Sequence, residues 1–151
     1  MSRTPVVLML GYLAVLLILT FLPYNGLHGT DPVDLRLQAF RTINFALRKG
    51  AGSREFAVLI GNLLAFMPLG LLLPAMTGKR SLLTVFLVGL ALSLAIEAGQ
   101  LAISIYLGFA YRTADIDDVI VNVSGALLGY GLFITVASIR SWVANGTNAN
   151  G

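Results

Sequence analysis

The stretch LAIEAGQLAISIYLGFAYRTADIDDVIVNVSGALLGY, Leu94–Tyr130, decides how this chain must be read. It sets Glu97 and Gln100 inside one apolar run, then places Arg112, Asp115, Asp117, Asp118 and Asn122 at the entrance to the next. The surrounding chain of 151 residues is 57% hydrophobic and 11% charged, with a mean hydropathy of +0.85. Such a composition belongs to an integral membrane protein, not to a water-soluble domain. Charged and amide side chains are costly at membrane depth, so those in this stretch point to a functional site.

Working outward, four apolar segments are long enough to span a bilayer, at residues 5–22, 57–76, 82–107 and 119–139. The fold expected is therefore all-α, a polytopic bundle of four transmembrane helices in a single domain, residues 1–144. Thr4 and Pro5 suit an N-cap and a first helical position. No small-x-small cleavage pattern follows the first segment, so it is expected to stay as an anchor helix. Pro68 lies within the second segment, where a kink is expected. Asn145–Gly151 is polar and without apolar period, and is expected to be a disordered tail.

The first connection has a pattern of its own. Asp31, Pro32 and Asp34 resemble a helix start, and Val33, Leu37, Phe40, Ile43 and Leu47 recur at helical spacing before Gly50 and Gly52. Arg41, Arg48, Asp34 and Gln38 fall on the opposite side. This predicts a short amphipathic helix over 32–49, lying in the headgroup region or packed on the end of the bundle.

If the four spans alternate in direction, Asn62, Glu97, Gln100, Arg112–Asp118 and Asn122 all lie in one leaflet. Glu97 sits roughly 22 Å along the third span, past the middle of a core about 30 Å thick. Glu97 and Gln100 share a helix face, as do Asp118, Asn122, Gly125 and Gly129. The two glycines form a small-xxx-small surface for close helix approach, which is expected to bring Asp118 and Asn122 toward Glu97.

Each of these residues also has a plain structural use. Asp115 can cap the fourth helix with Asp118 in its first turn, a use that accounts for some of the three aspartates. Arg112 is expected to pair with the nearby carboxylates rather than to snorkel. Asn62 and Asn122 suit interhelical hydrogen bonds. Tyr106, Tyr111 and Trp142 suit an aromatic belt, and His28 is a lone loop histidine with no expected role. The ten basic residues sit singly or in pairs at segment ends, which fits membrane anchoring and not nucleic acid. With no cysteine, disulfides and thiolate chemistry are excluded.

Three separated blocks now carry a resemblance. Asn62-Leu-Leu-Ala-Phe-Met-Pro68-Leu-Gly70, Glu97-Ala-Gly-Gln100, and Arg112 through Asp118 to Asn122 and Gly125, with Gly129 beyond, resemble the signature of the VanZ-like membrane protein family. Asp115 departs from the pattern, where a small polar residue is expected. The resemblance implies a small helical inner-membrane protein, in a family whose named member is linked to low-level resistance to the glycopeptide teicoplanin.

Two functions are expected on these grounds. In the first, the ligand-binding residues Asn62, Glu97, Gln100, Arg112, Asp115, Asp117, Asp118 and Asn122 bind or remodel an anionic envelope lipid or a glycopeptide, with Pro68, Gly70, Gly125 and Gly129 as structural residues. In the second, Glu97 or Asp118 is a catalytic base or metal ligand in a lipid-modifying enzyme. A transporter would need a dimer to form a path. No nucleophile beside a base and no histidine-carboxylate set is evident, so the first function is favoured, with no cofactor or resident metal. The partners expected are membrane lipids, and a homo-oligomer is compatible with the chain. Basic residues number four on the N-terminal side of the bundle and six on the other, which taken alone places the polar cluster in the cytoplasm. Local anchoring of the first connection and the lead of the first helix favour the reverse, with both termini cytoplasmic.

Overall fold

The computed structural model describes residues 4–22 and 30–148, with side chains described to Asn145. The described residues form α1 (Thr4–Phe21), β1 (Leu35–Arg36), α2 (Arg41–Lys49), α3 (Arg54–Thr77), α4 (Leu82–Leu107), β2 (Ala114–Asp115) and α5 (Ile116–Asn148). Among them, α1, α3, α4 and α5 are long and apolar enough to cross a membrane. His28 and residues 149–151 of the expected tail lie outside the described residues.

The helices are apolar nearly all round, and their sorting follows the membrane rule that small and polar residues pack inward. On α4 the buried positions Val85, Gly89, Ser93, Ile96, Glu97, Gln100 and Ser104 make one stripe at helical spacing. Leu82, Leu83, Leu87 and Leu94 remain exposed on its other side. α4 is thus reversed relative to a helix of a water-soluble protein: its inner face is small and polar, its outer face oily.

The most extensive contact is between α3 and α5. These are the second and fourth spans, so they run in the same direction. A Cβ added at Gly125 would overlap the Leu63 carbonyl, one at Gly129 the Met67 carbonyl, and one at Gly70 the Ala126 carbonyl. The backbones therefore touch, as in other small-xxx-small helix pairs. The close partner of the α5 glycines is α3, and not the α4 helix expected from sequence. α5 meets α4 through side chains instead. Pro68 and Pro74 both lie within a continuous α3.

α1 packs on α3, with the Tyr12 hydroxyl donating to the Ala65 carbonyl at 2.9 Å. Its C-terminal carbonyls need outside donors, since a helix end leaves them without intrahelical partners. Leu22 N–H takes the Ile18 carbonyl at 2.8 Å. Arg112 reaches that of Leu19 at 3.5 Å, Gln100 that of Thr20 at 3.3 Å, and the Tyr111 hydroxyl that of Phe21 at 2.5 Å. Tyr111 is accordingly a half-buried cap, not a belt residue, whereas Tyr106 and Trp142 are exposed.

The helix expected over 32–49 is shorter. Its first part is extended, with β1 pairing in parallel with β2 through Leu35 opposite Ala114 and Arg36 opposite Asp115. Asp31 and Asp34 do not cap a helix; their carbonyls accept the N–H groups of Ala110 and Ala114, and the Asp34 carboxylate pairs with Arg36 at 2.8 Å. α2 begins only after Phe40, which turns the chain with a left-handed φ of 64°. Its fully buried Ala46 packs it onto the bundle's end, while Leu37, Phe40, Phe45 and Leu47 stay exposed. At the other end of the chain, α5 runs on to Asn148, past the Ile139 limit of the expected span and into the expected tail. Helical hydrogen bonding continues there although the apolar pattern has stopped.

Gly125→Ala should therefore lower the melting temperature of the detergent-solubilised protein, with overpacking costing about 1–3 kcal/mol, and Gly125→Leu should reduce the yield of folded protein. Gly131→Ala is the control, because nothing lies within 4 Å of a Cβ added there. Equal melting of Gly125→Ala and Gly131→Ala would refute the backbone contact.

Candidate functional site

A cavity of about 250 Å³ opens between the C-terminal end of α1, the first turns of α3 and α5 and the second half of α4. Its polar lining comprises Thr20, Asn62, Glu97, Gln100, Arg112, Asp118 and Asn122. Leu16, Phe66 and Ile96 form much of its apolar wall. The structure thus gathers six residues expected from the sequence, drawn from three helices and one loop, into one space. Alternating helix direction accounts for this, since all six sit at the same end of the bundle.

Helical spacing sets their arrangement. Asp118 and Asn122 are one turn apart on α5, and Ser93 and Glu97 one turn apart on α4. The two pairs are cross-linked by Asn122, whose side-chain N–H donates to the Ser93 hydroxyl at 2.9 Å. Asn62 of α3 lies beside the Asp118 carboxylate. Glu97 accepts the Asp115 N–H at 2.9 Å, which fixes the entrance of α5 against α4. Asn122 is only 5% exposed, and its Oδ1 has no hydrogen-bond partner among the described residues. An unpaired buried acceptor costs about 1–3 kcal/mol, so a donor offered to it would be held firmly.

Arg112 departs from expectation. Among the described residues it forms no ion pair, and its guanidinium borders the cavity with only the distant Leu19 carbonyl as acceptor. The loop that carries it is held by Ser104, whose fully buried hydroxyl accepts the Tyr111 and Arg112 N–H groups at 3.1 and 3.3 Å. The same hydroxyl lies 3.0 Å from the Arg112 carbonyl and 2.9 Å from that of Gln100.

The sequence pattern assigns Asp115 and Asp117 to ligand binding, but the structure places both outside the cavity. Asp117, 1% exposed, accepts the Phe40 N–H at 2.5 Å on one carboxylate oxygen and the Thr42 and Ile43 N–H groups at 2.7 and 3.1 Å on the other. It is the N-terminal cap of α2, supplied from a different helix, and its negative charge suits that helix end. Asp115 caps α5 by accepting the Asp117 N–H at 2.9 Å, and accepts the Thr42 hydroxyl at 2.5 Å. Both carboxylates are spent on joining α2 to α5. Among the described residues no group of three or more His, Cys, Asp or Glu side chains is placed to hold a metal ion.

Sequence reasoning missed Ser93, Ser104 and Thr42. The two serines stand four residues from Glu97 and Gln100 on the same face of α4, so helical spacing could have found them. Thr42 gave no such signal, because its partner is remote in the chain.

Asp117→Ala should leave three backbone N–H groups without their acceptor, at about 1.5–3 kcal/mol for each charge-assisted bond. Hydrogen exchange over residues 40–49 should then rise while α3 and α5 keep their protection. Unchanged exchange in that segment would show that α2 does not depend on the cap.

The sequence profile of the VanZ/LLP1 family matches residues 9–138, which include every element described from the middle of α1 to most of α5. No curated protein and no solved structure matches the chain. The matched region carries the close α3–α5 contact and all the polar residues of the cavity, and the chain belongs to the VanZ/LLP1 family.

Proposed function

We propose that this protein is a binding module for an envelope lipid, whose headgroup enters the cavity and presents an anionic group to Arg112. The observation that carries this reading is a guanidinium bordering a polar cavity with no carboxylate partner among the described residues. An unpaired guanidinium is a strong donor fork for phosphate. The volume, about 250 Å³, falls below the roughly 300–1,000 Å³ of pockets for drug-sized ligands, so it suits a headgroup and is too small to enclose a glycopeptide. A link to glycopeptide resistance would then act through the envelope lipid and not through capture of the antibiotic. The reading as a carboxylate-based enzyme has less support, because Asp115 and Asp117 are committed to N–H and hydroxyl donors.

Lipid identification by mass spectrometry on the purified protein tests the proposal. Wild type should retain a phospholipid that Arg112→Ala loses by about tenfold or more, the scale of one charge-assisted contact. Arg112→Lys, which keeps the charge, should retain an intermediate amount. Equal retention by wild type and Arg112→Ala, at equal folded yield, would overturn the reading.

The cavity is proposed to face outward, with both termini in the cytoplasm. Single cysteines at positions 79 and 112 of this cysteine-free chain read this directly. An impermeant thiol reagent applied from outside should label position 112 and spare position 79, and the opposite pattern would reverse the topology.

A further inference from the structure

The charges around the cavity do not suit a ligand that is only anionic. Two carboxyl groups, Glu97 and Asp118, line the cavity beside a single guanidinium, Arg112. Asn122 adds a buried Oδ1 without a donor. These three acceptors belong to one patch, since Asp118 and Asn122 are a turn apart on α5, and Asn122 is tied to Ser93, a turn before Glu97 on α4. Arg112 enters from the loop between α4 and β2. The lining thus brings acceptors from α4 and α5 together with one cation from the loop.

We infer that the ligand is zwitterionic, an aminophospholipid headgroup whose primary ammonium is held by Glu97, Asp118 and the Asn122 Oδ1 while its phosphate meets Arg112. The inference rests on the lipid-binding reading and narrows its substrate class. An ammonium has three N–H donors, which matches three acceptors, and it supplies the donor that the Asn122 Oδ1 lacks. It also brings positive charge to the two carboxyl groups, which a plain phosphate headgroup does not. A quaternary ammonium carries the charge without the N–H donors, and a glycerol headgroup carries hydroxyl donors without the charge. These two groups separate the parts of the recognition.

The test is native mass spectrometry of the full chain in detergent, titrated separately with phosphatidylethanolamine, phosphatidylcholine and phosphatidylglycerol of matched acyl chains. Phosphatidylethanolamine should bind about tenfold or more tighter than either of the others. Glu97→Gln combined with Asp118→Asn removes both charges while keeping an acceptor for the Asp115 N–H. It should abolish that preference, so that phosphatidylethanolamine no longer binds tighter than phosphatidylglycerol. A thermal melt on each variant reports that the bundle is folded.

Soluble phosphoethanolamine, added as a competitor, distinguishes the source of the group. Competition would place recognition in the head alone, and its absence would require the lipid; both agree with an ammonium-phosphate ligand. Equal binding of the three lipids, or tighter binding of phosphatidylglycerol, would overturn the inference while leaving the lipid-binding reading standing. Failure of all three lipids to bind would overturn both.

Discussion

The backbone contact between α3 and α5 is the constraint on which the rest of this bundle depends. Glycine at positions 70, 125 and 129 lets two parallel helices meet with no side chain between them, and any Cβ there would strike a carbonyl. In a bilayer, apolar burial gives helices little reason to associate, so close packing of this kind must supply the attraction. The contact also sets the register of the helix turns nearer the membrane surface. Asn62 lies one residue before Leu63, and Asp118 and Asn122 lie within two turns of Gly125, so the contact carries the polar groups of both helices to a common level.

At that level the problem becomes one of satisfying polar groups. A membrane protein cannot leave N–H and carbonyl groups to water within the hydrocarbon region, so they must be paired internally. The C-terminal carbonyls of α1 are met by Arg112, Gln100 and Tyr111, and the N-terminal N–H groups of α2 by Asp117. Glu97, Asp115 and Thr42 link α4, α5 and α2 in succession. Most of the costly groups in the Leu94–Tyr130 stretch therefore have a protein partner. The Asn122 Oδ1 lacks one, and Arg112 has only a distant one. Both residues line the cavity, and their unmet bonding capacity is what the proposed lipid headgroup would use.

The VanZ/LLP1 match spans the blocks around Asn62, Glu97 and Arg112–Gly125. It does not say why those blocks need these side chains, and the structure divides them by physical role. Gly70, Gly125 and Gly129 serve helix contact, Asp115 and Asp117 serve the α2–α5 joint, and Asn62, Glu97, Asp118 and Asn122 border the cavity.

Composition and the run of apolar residues determined by themselves that four helices cross a membrane, and the α4 limits Leu82–Leu107 were legible to the residue. Span length and burial of the main chain in hydrocarbon are local demands, written into local sequence. The gathering of Asn62, Glu97, Gln100, Arg112, Asp118 and Asn122 at one end of the bundle was also legible, because alternating helix direction is enough to fix it. Only the tertiary structure decided which aspartates face the cavity, which helix the α5 glycines touch and where α2 begins. Residues 32–40 have a helical pattern, but backbone N–H groups from Ala110 and Ala114 claim the carbonyls of Asp31 and Asp34. The carboxylate that starts α2 arrives from Asp117, a residue far along the chain. Spacing along one helix says which side chains share a face, whereas the partner of that face depends on how separate helices pack.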